Sequence, residues 1–307
     1  MRAVVIESHG AAPVVREIPD PVPGQGEVLV RIAAASLNPF DRFVASGAAK
    51  TFMEYRFPVV LGRDYAGTIE ALGEGAEGFT VGDRVFGTIA SPFLGPGGLA
   101  ERIAVPAAHN IARVPPALEL EPAAAIGLAG SAAHAAVDAV DPRPGQTVLV
   151  SGATGGVGSL ATQLTAARGA TVIATAGSEE GQAFVRDLGA QHVVDYSGDV
   201  IAQIRAIAPN GVDAIIHLAG DGVALADLLV PGGRIASTAG VGPEAFEGRD
   251  LTAIRANADP TALPAVAELA AKGELKVPIH RTYTLDEAPG VFAAWPHALG
   301  KSVVKIG

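Results

Sequence analysis

The chain of 307 residues has no cysteine. That excludes disulfide bridges and any zinc site built on thiolates, and it suits a reducing compartment. Positive charge is scarce too. Lys and Arg number 22 against 32 Asp and Glu, a formal charge of −10. Phosphate backbones and anionic membrane surfaces both call for a cationic face, so neither nucleic acid nor a membrane is an expected partner. Aromatic residues make up only 5%. Long apolar runs are also missing. The most apolar stretch, residues 123–137, is mainly Ala and Gly and is broken by Ser131 and His134, so it is not read as a bilayer span. The opening MRAVVIESHG carries too short an apolar run for a signal peptide. A cytoplasmic protein is the expectation.

Hydrophobic residues nonetheless make up 49%, enough for a sizeable core, and disorder of the whole chain is excluded. The rhythm of the chain changes along its length. Up to about residue 117, short apolar runs such as EVLVRIAAASL and GDRVFGTI alternate with Gly and Pro, the pattern of an antiparallel, barrel-like unit. Residues 118–258 alternate strand and helix patterns, which implies parallel pairing through right-handed crossovers. Mixed short elements return over residues 259–307, beginning with a helix in LPAVAELAAKG and ending in the strand SVVKI.

The strongest local signal is TVLVSGATGGVGSLATQLTAARGATVIAT. A strand at 147–150 leads into Gly152-Ala153-Thr154-Gly155-Gly156-Val157-Gly158, where a helix opens. Ala153, Gly155 and Gly158 fall on the three small-residue positions of a dinucleotide-binding turn. Such a turn needs a tight bend, a bare backbone beside the pyrophosphate, and a small residue where helix meets strand. A tight strand-to-helix turn without a ligand is the plain alternative. The second strand ends in Ala176-Gly177-Ser178 with no carboxylate in place for a ribose hydroxyl, although Glu179 and Glu180 follow. That leaves room for a 2′-phosphate and points to NADPH. Ser178 is read both as the cap of the helix after it and as a phosphate contact.

Several segments, in order, carry a family resemblance: EVLVRIAAASLNPFD at 27–41, LGRDYAG at 61–67, VGDRVFG at 81–87, GGLAERIAVPA at 97–107, SGATGGVG at 151–158, VDY at 194–196 and the terminal GKSVVKI. With them the chain resembles the zinc-independent medium-chain dehydrogenases/reductases, close to the NADPH-dependent quinone oxidoreductases. The resemblance implies an α/β protein with a GroES-like β-barrel catalytic domain from both chain ends, here 1–117 and 259–307. A doubly wound Rossmann domain lies between them, at 118–258. It further implies Tyr196 as a phosphate-side residue, Leu218-Ala219 and Ala239-Gly240 beside nicotinamide and ribose, and a homodimer paired through an edge strand near 252–257. The family's phosphate-binding Lys and Arg positions fall at Gly181 and near Pro296.

Zinc-dependent relatives hold their catalytic metal with Cys, His and acidic ligands. Here Asn38 and Arg63-Asp64 stand at those positions, so no metal is expected. Without a Lewis acid a simple ketone is a poor hydride acceptor, whereas a quinone or an α,β-unsaturated carbonyl spreads the charge onto oxygen. Asn38 is the first candidate for a donor to that oxygen. Asp41 is read as its support and Tyr65 as a second donor. An Asx turn for Asn38-Pro39-Phe40-Asp41 and a core role for Tyr65 are the alternatives. The expected function is therefore NADPH-dependent reduction of a small quinone or enone. Two alternatives stay open: an enoyl-thioester reductase, and an NADPH-binding sensor or structural protein with little turnover.

Overall fold

The computed structural model describes residues 1–255, 257–295 and 297–307, and the chain divides into two compact units. The first comprises Met1–Leu128, Pro260–Lys272 and Ile279–Gly307, and the second Ala129–Asp259 and Gly273–Pro278. The division falls inside the helix Leu120–Val140 rather than at its start. This helix is long and apolar enough to cross a bilayer, but most of it is buried within the protein, as in a core helix.

In the first unit, strand Glu27–Ser36 organises a seven-stranded sheet. It pairs antiparallel with Asp64–Leu72, with Arg102–Pro106 and, at its far end, with Lys301–Lys305. The last strand of the chain thus completes a sheet begun by the first part. Alternation decides which side chains go inward. Val28, Val30 and Ile32 point to a core shared with Tyr65, Ile69, Val85 and Ile103, while Arg31 on the other face is exposed. A second cluster joins the two chain ends, packing Leu37, Val44 and Leu61 with Tyr283, Leu285 and Phe292.

The second unit is a parallel sheet of six strands in the spatial order His192–Val194, Thr171–Thr175, Thr147–Ser151, Val212–His217, Leu229–Ser237 and Leu251–Arg255. Numbered along the chain this is 3-2-1-4-5-6, the doubly wound order, with its switch point beside the first strand. The central strands are near-continuous apolar runs, as strands covered on both faces must be. Ser178, Asp199 and Asp221 cap the helices Glu179–Asp187, Val200–Ile207 and Gly222–Leu225.

Candidate functional site

The glycine-rich turn lies at the C-terminal end of Thr147–Ser151. Gly152 adopts φ +72°, open to glycine at little cost, and donates its N–H to Thr175 Oγ1 at 2.9 Å. Gly155 caps the helix Gly156–Ala167 without any side-chain hydrogen bond, so the first-turn N–H groups are left to an outside acceptor. A Cβ on Gly155 would meet no atom nearer than Gly152 O at 3.5 Å, which leaves the approach to this backbone open. On Gly158 it would stand 2.2 Å from Gly152 O and 2.6 Å from Ala153 Cα. Gly158 is therefore the close-packing glycine of the turn. Ala153 is buried beneath it, and Thr154, Gly155, Gly156 and Val157 form its partly open rim.

Ser178 and Tyr196 come together at the end of Thr171–Thr175. The Tyr196 ring lies against Gly177, where a Cβ would come within 2.5 Å of it, and Tyr196 is 52% exposed. Ser178 Oγ accepts the N–H of Gly181 at 3.1 Å and keeps its own hydroxyl hydrogen to donate. Glu179 and Glu180 are exposed in the first turn of that helix. Gly181 is buried beside Ser178 and Thr154. The expected assisting position near Pro296 falls at a residue outside those described.

A polar row across the sheet was missed in the sequence. The last residues of four adjacent strands are Thr175, Ser151, His217 and Ser237, all buried. Each ties down a loop. Ser151 Oγ accepts Leu218 N–H at 3.2 Å, and Ser237 Oγ accepts Ala239 N–H at 3.2 Å. His217 Nδ1 lies 2.9 Å from Ser237 Oγ, and Nε2 lies 3.0 Å from Gly220 O. A carbonyl only accepts, so Nε2 carries a proton and donates it to Gly220 O. This relay fixes the loops holding Leu218, Ala219, Ala239 and Gly240. The signal was present as one Ser, Thr or His between each apolar run and the loop that follows it.

In the first unit a buried charge network surrounds Asn38. Its Oδ1 accepts from Lys301 Nζ at 2.6 Å, and its Nδ2 donates to Asp64 Oδ2 at 2.8 Å and more weakly to Ser36 O at 3.4 Å. Asp64 also accepts from the Ser36 hydroxyl and, at 2.6 Å, from Leu128 N–H, and lies 3.8 Å from Lys301 Nζ. Asp41 Oδ2 accepts Asn38 N–H at 2.8 Å. Burial pushes Asp41 up to about 7, against the lowering effect of that hydrogen bond. Burial likewise pulls the Lys301 ammonium below its usual value, opposed by Asp64 and Asp41.

Arg63 borders the same region. Its guanidinium lies 5.0 Å over the Phe40 ring, and it lines a small pocket with Asp41, Ile89, Ser91 and Phe93. Burial pulls it below its usual value, with Asp41 and Asp64 opposing. Nearby, Phe40, Phe43 and Phe52 form an aromatic run, with Phe43 and Phe52 stacked at 5.7 Å and Phe52 61% exposed.

Comparison with known proteins decides the family. The model of the alcohol dehydrogenase GroES-like domain matches residues 24–116, and that of the zinc-binding dehydrogenase matches residues 156–260. The quinone oxidoreductase of Lama guanicoe is 35% identical over 259 residues, 81% of this chain and 76% of its own. The chain belongs to the quinone oxidoreductase family of the medium-chain dehydrogenases/reductases. The solved quinone oxidoreductase of Coxiella burnetii has a TM-score of 0.90 at 27% identity, covering 100% of this chain and 99% of that one. Escherichia coli quinone oxidoreductase complexed with NADPH has a TM-score of 0.88 at 22% identity, covering 99% and 100%, a likeness of fold. This family member is thus an oxidoreductase with a GroES-like and a Rossmann-like domain.

Two cofactor fits follow. A nicotinamide dinucleotide suits the second unit, where bare backbone around Gly155 meets an uncapped helix start. A zinc ion does not suit the first. At the positions where the resemblance puts ligands stand an amide whose oxygen already holds an ammonium, a guanidinium, which is a cation itself, and the Asp64 carboxylate, whose oxygens already accept from Ser36, Asn38 and Leu128. Two expectations need correction. Both Asn38 amide hydrogens are directed at protein acceptors, so the side chain holds Lys301 and Asp64 in place rather than presenting a donor outward. Tyr65 is wholly buried in the barrel core with its hydroxyl over Gly87, and among the described residues that hydroxyl has no hydrogen-bond partner.

Proposed function

We propose that this oxidoreductase reduces a quinone or an α,β-unsaturated carbonyl with NADPH and without zinc. The observation that carries the reading is the Asn38–Asp64–Lys301 network, in which two residues at the positions where the resemblance puts zinc ligands are already engaged with an ammonium. Without a metal, the acceptor must delocalise the added charge itself, which a conjugated carbonyl does. The Phe40–Phe43–Phe52 run offers flat faces for a planar acceptor. The quinone oxidoreductase names of its relatives favour the same substrate class.

NADPH is favoured over NADH by the pairing of Ser178 and Tyr196 about Gly177, with no carboxylate at the end of that strand. When bound, the dinucleotide supplies the hydride. This chain's part is to seat the pyrophosphate on Gly155–Gly158 and to hold the Leu218–Gly220 and Ala239–Gly240 loops through His217 and Ser237. Cofactor oxidation measured with simple quinones, enones and a crotonyl thioester tests the assignment. Quinones or enones should turn over best. A faster thioester would make it an enoyl reductase, and binding without turnover a sensor.

A further inference from the structure

Reduction of a conjugated carbonyl leaves negative charge on its oxygen, and with no metal something else must receive it. Asn38 is spent on Asp64 and Ser36 O, Lys301 on Asn38 Oδ1 and Leu37 O, and Tyr65, although its hydroxyl is unpartnered among the described residues, is wholly buried and does not line the pocket. Arg63 remains. Its backbone is pinned, since Arg63 O accepts Ile89 N–H at 2.8 Å and a Cβ on the preceding Gly62 would stand 2.8 Å from Leu99 N. Its side chain is not. Nε is buried and, among the described residues, has no hydrogen-bond partner. Among those residues no carboxylate hydrogen-bonds the guanidinium, although Asp41, which shares the pocket wall, and Asp64 act on it at longer range. A buried N–H with no acceptor loses its hydration without return, unless a ligand supplies the acceptor. The pocket beside it is otherwise largely apolar, with Val44, Leu61, Ile89 and Phe93. A guanidinium with no hydrogen-bonded carboxylate, in walls that are apolar but for Asp41 and Ser91, can receive an oxyanion, because partly buried surroundings screen it less than water does.

We propose that Arg63 is the oxyanion-binding catalytic residue, its guanidinium receiving the carbonyl oxygen of the acceptor as that oxygen gains charge. This rests on the reading of the protein as a reductase of conjugated carbonyls. The acceptor gains a hydride at its electrophilic carbon from the reduced nicotinamide dinucleotide, which is thereby oxidised. The displaced π pair moves to oxygen, giving an enolate, and a proton from solvent completes the reduction; for a quinone, loss of the proton from the carbon that took the hydride and gain of one at oxygen then give the hydroquinone. Arg63 carries the charge between those two events. Its planar fork also suits an sp² oxygen better than a Lys ammonium would.

The test uses para-nitrophenol as an oxyanion probe on the full-length protein without cofactor, so that its readout is independent of turnover. Wild-type protein is expected to bind the coloured phenolate in preference to the phenol, lowering the probe's apparent pKa. Arg63→Gln should weaken phenolate binding by roughly tenfold to a hundredfold, the range for a charge-assisted hydrogen bond, with Arg63→Lys between. Guanidinium added to Arg63→Ala should restore part of the binding, which a merely misfolded variant would not show. Equal phenolate binding by wild type and Arg63→Gln would overturn the proposal. So would wild-type kcat for quinone reduction in Arg63→Gln, which leaves the reductase reading intact. Phenolate binding through Arg63 in a protein that reduces no quinone or enone would sink the reductase reading and leave the oxyanion site standing.

Discussion

Asn38 shows how one side chain serves two charges. Its amide accepts from Lys301 and donates to Asp64, so neither buried ion is left bare. Asn38→Ala is expected to destabilise the protein by about 1–3 kcal/mol in urea unfolding, as buried polar groups lose their partners. A variant of unchanged stability but lowered kcat would restore the amide as a substrate donor. Asp41 makes a second residue-scale claim. Its ordinary value of 3.8 rises to about 7 in the folded protein, so the folded state holds the proton more tightly. The stabilisation is fully present below about pH 3.8 and is lost as pH rises through 7. Unfolding measured across that range should show stability falling with pH, and Asp41→Asn should flatten the slope. Little of this network was readable in the sequence. Asn38 and Asp41 stood out as an Asx pair, but Lys301 lies 263 positions away from Asn38, and no local pattern announces such a partner.

At the scale of the element, the parallel strands were the most readable part of the chain. Thr147–Ser151, Thr171–Thr175 and His192–Val194 are short apolar runs between helices, and they pair in that sequence. The helix Val200–Ile207 was not expected. Its only cue is the Asp199 cap, whose carboxylate accepts Ala202 N–H at 2.9 Å. The strand ends carry the binding claim. Gly177 is readable as a turn glycine, but its reason is tertiary, because the Tyr196 ring occupies the place of any side chain there. Ser178→Ala combined with Tyr196→Phe should remove most of an NADPH preference of roughly tenfold to a hundredfold in kcat/KM, about 1.4–2.8 kcal/mol. NADH kinetics should hardly move. If NADH proves the better donor in the wild type, Glu179 or Glu180 reaches the ribose and the strand end has been misread.

At the scale of the whole molecule, alternation of strand and helix was enough to imply parallel pairing through crossovers, whereas the doubly wound Rossmann domain came with the resemblance. The closing of the first unit's sheet by Lys301–Lys305 was not visible in any periodicity and came only with the resemblance. Edge strand Leu251–Arg255 ends the parallel sheet with its residues only partly covered, and an open edge invites a second strand. We propose that two copies pair there, although Ala256 of the expected segment 252–257 lies outside the described residues. Light scattering at micromolar concentration should return twice the mass of one chain, and a single-chain mass would count against pairing. The central claim is hydride transfer to a conjugated carbonyl with NADPH and no metal, because an ammonium and a guanidinium occupy the ligand region. The most direct measurement is NADPH oxidation by a quinone after exhaustive dialysis against a chelator, with zinc content assayed in the same sample. The expected result is unchanged kcat at negligible zinc. Activity lost on dialysis and regained with added zinc would contradict it.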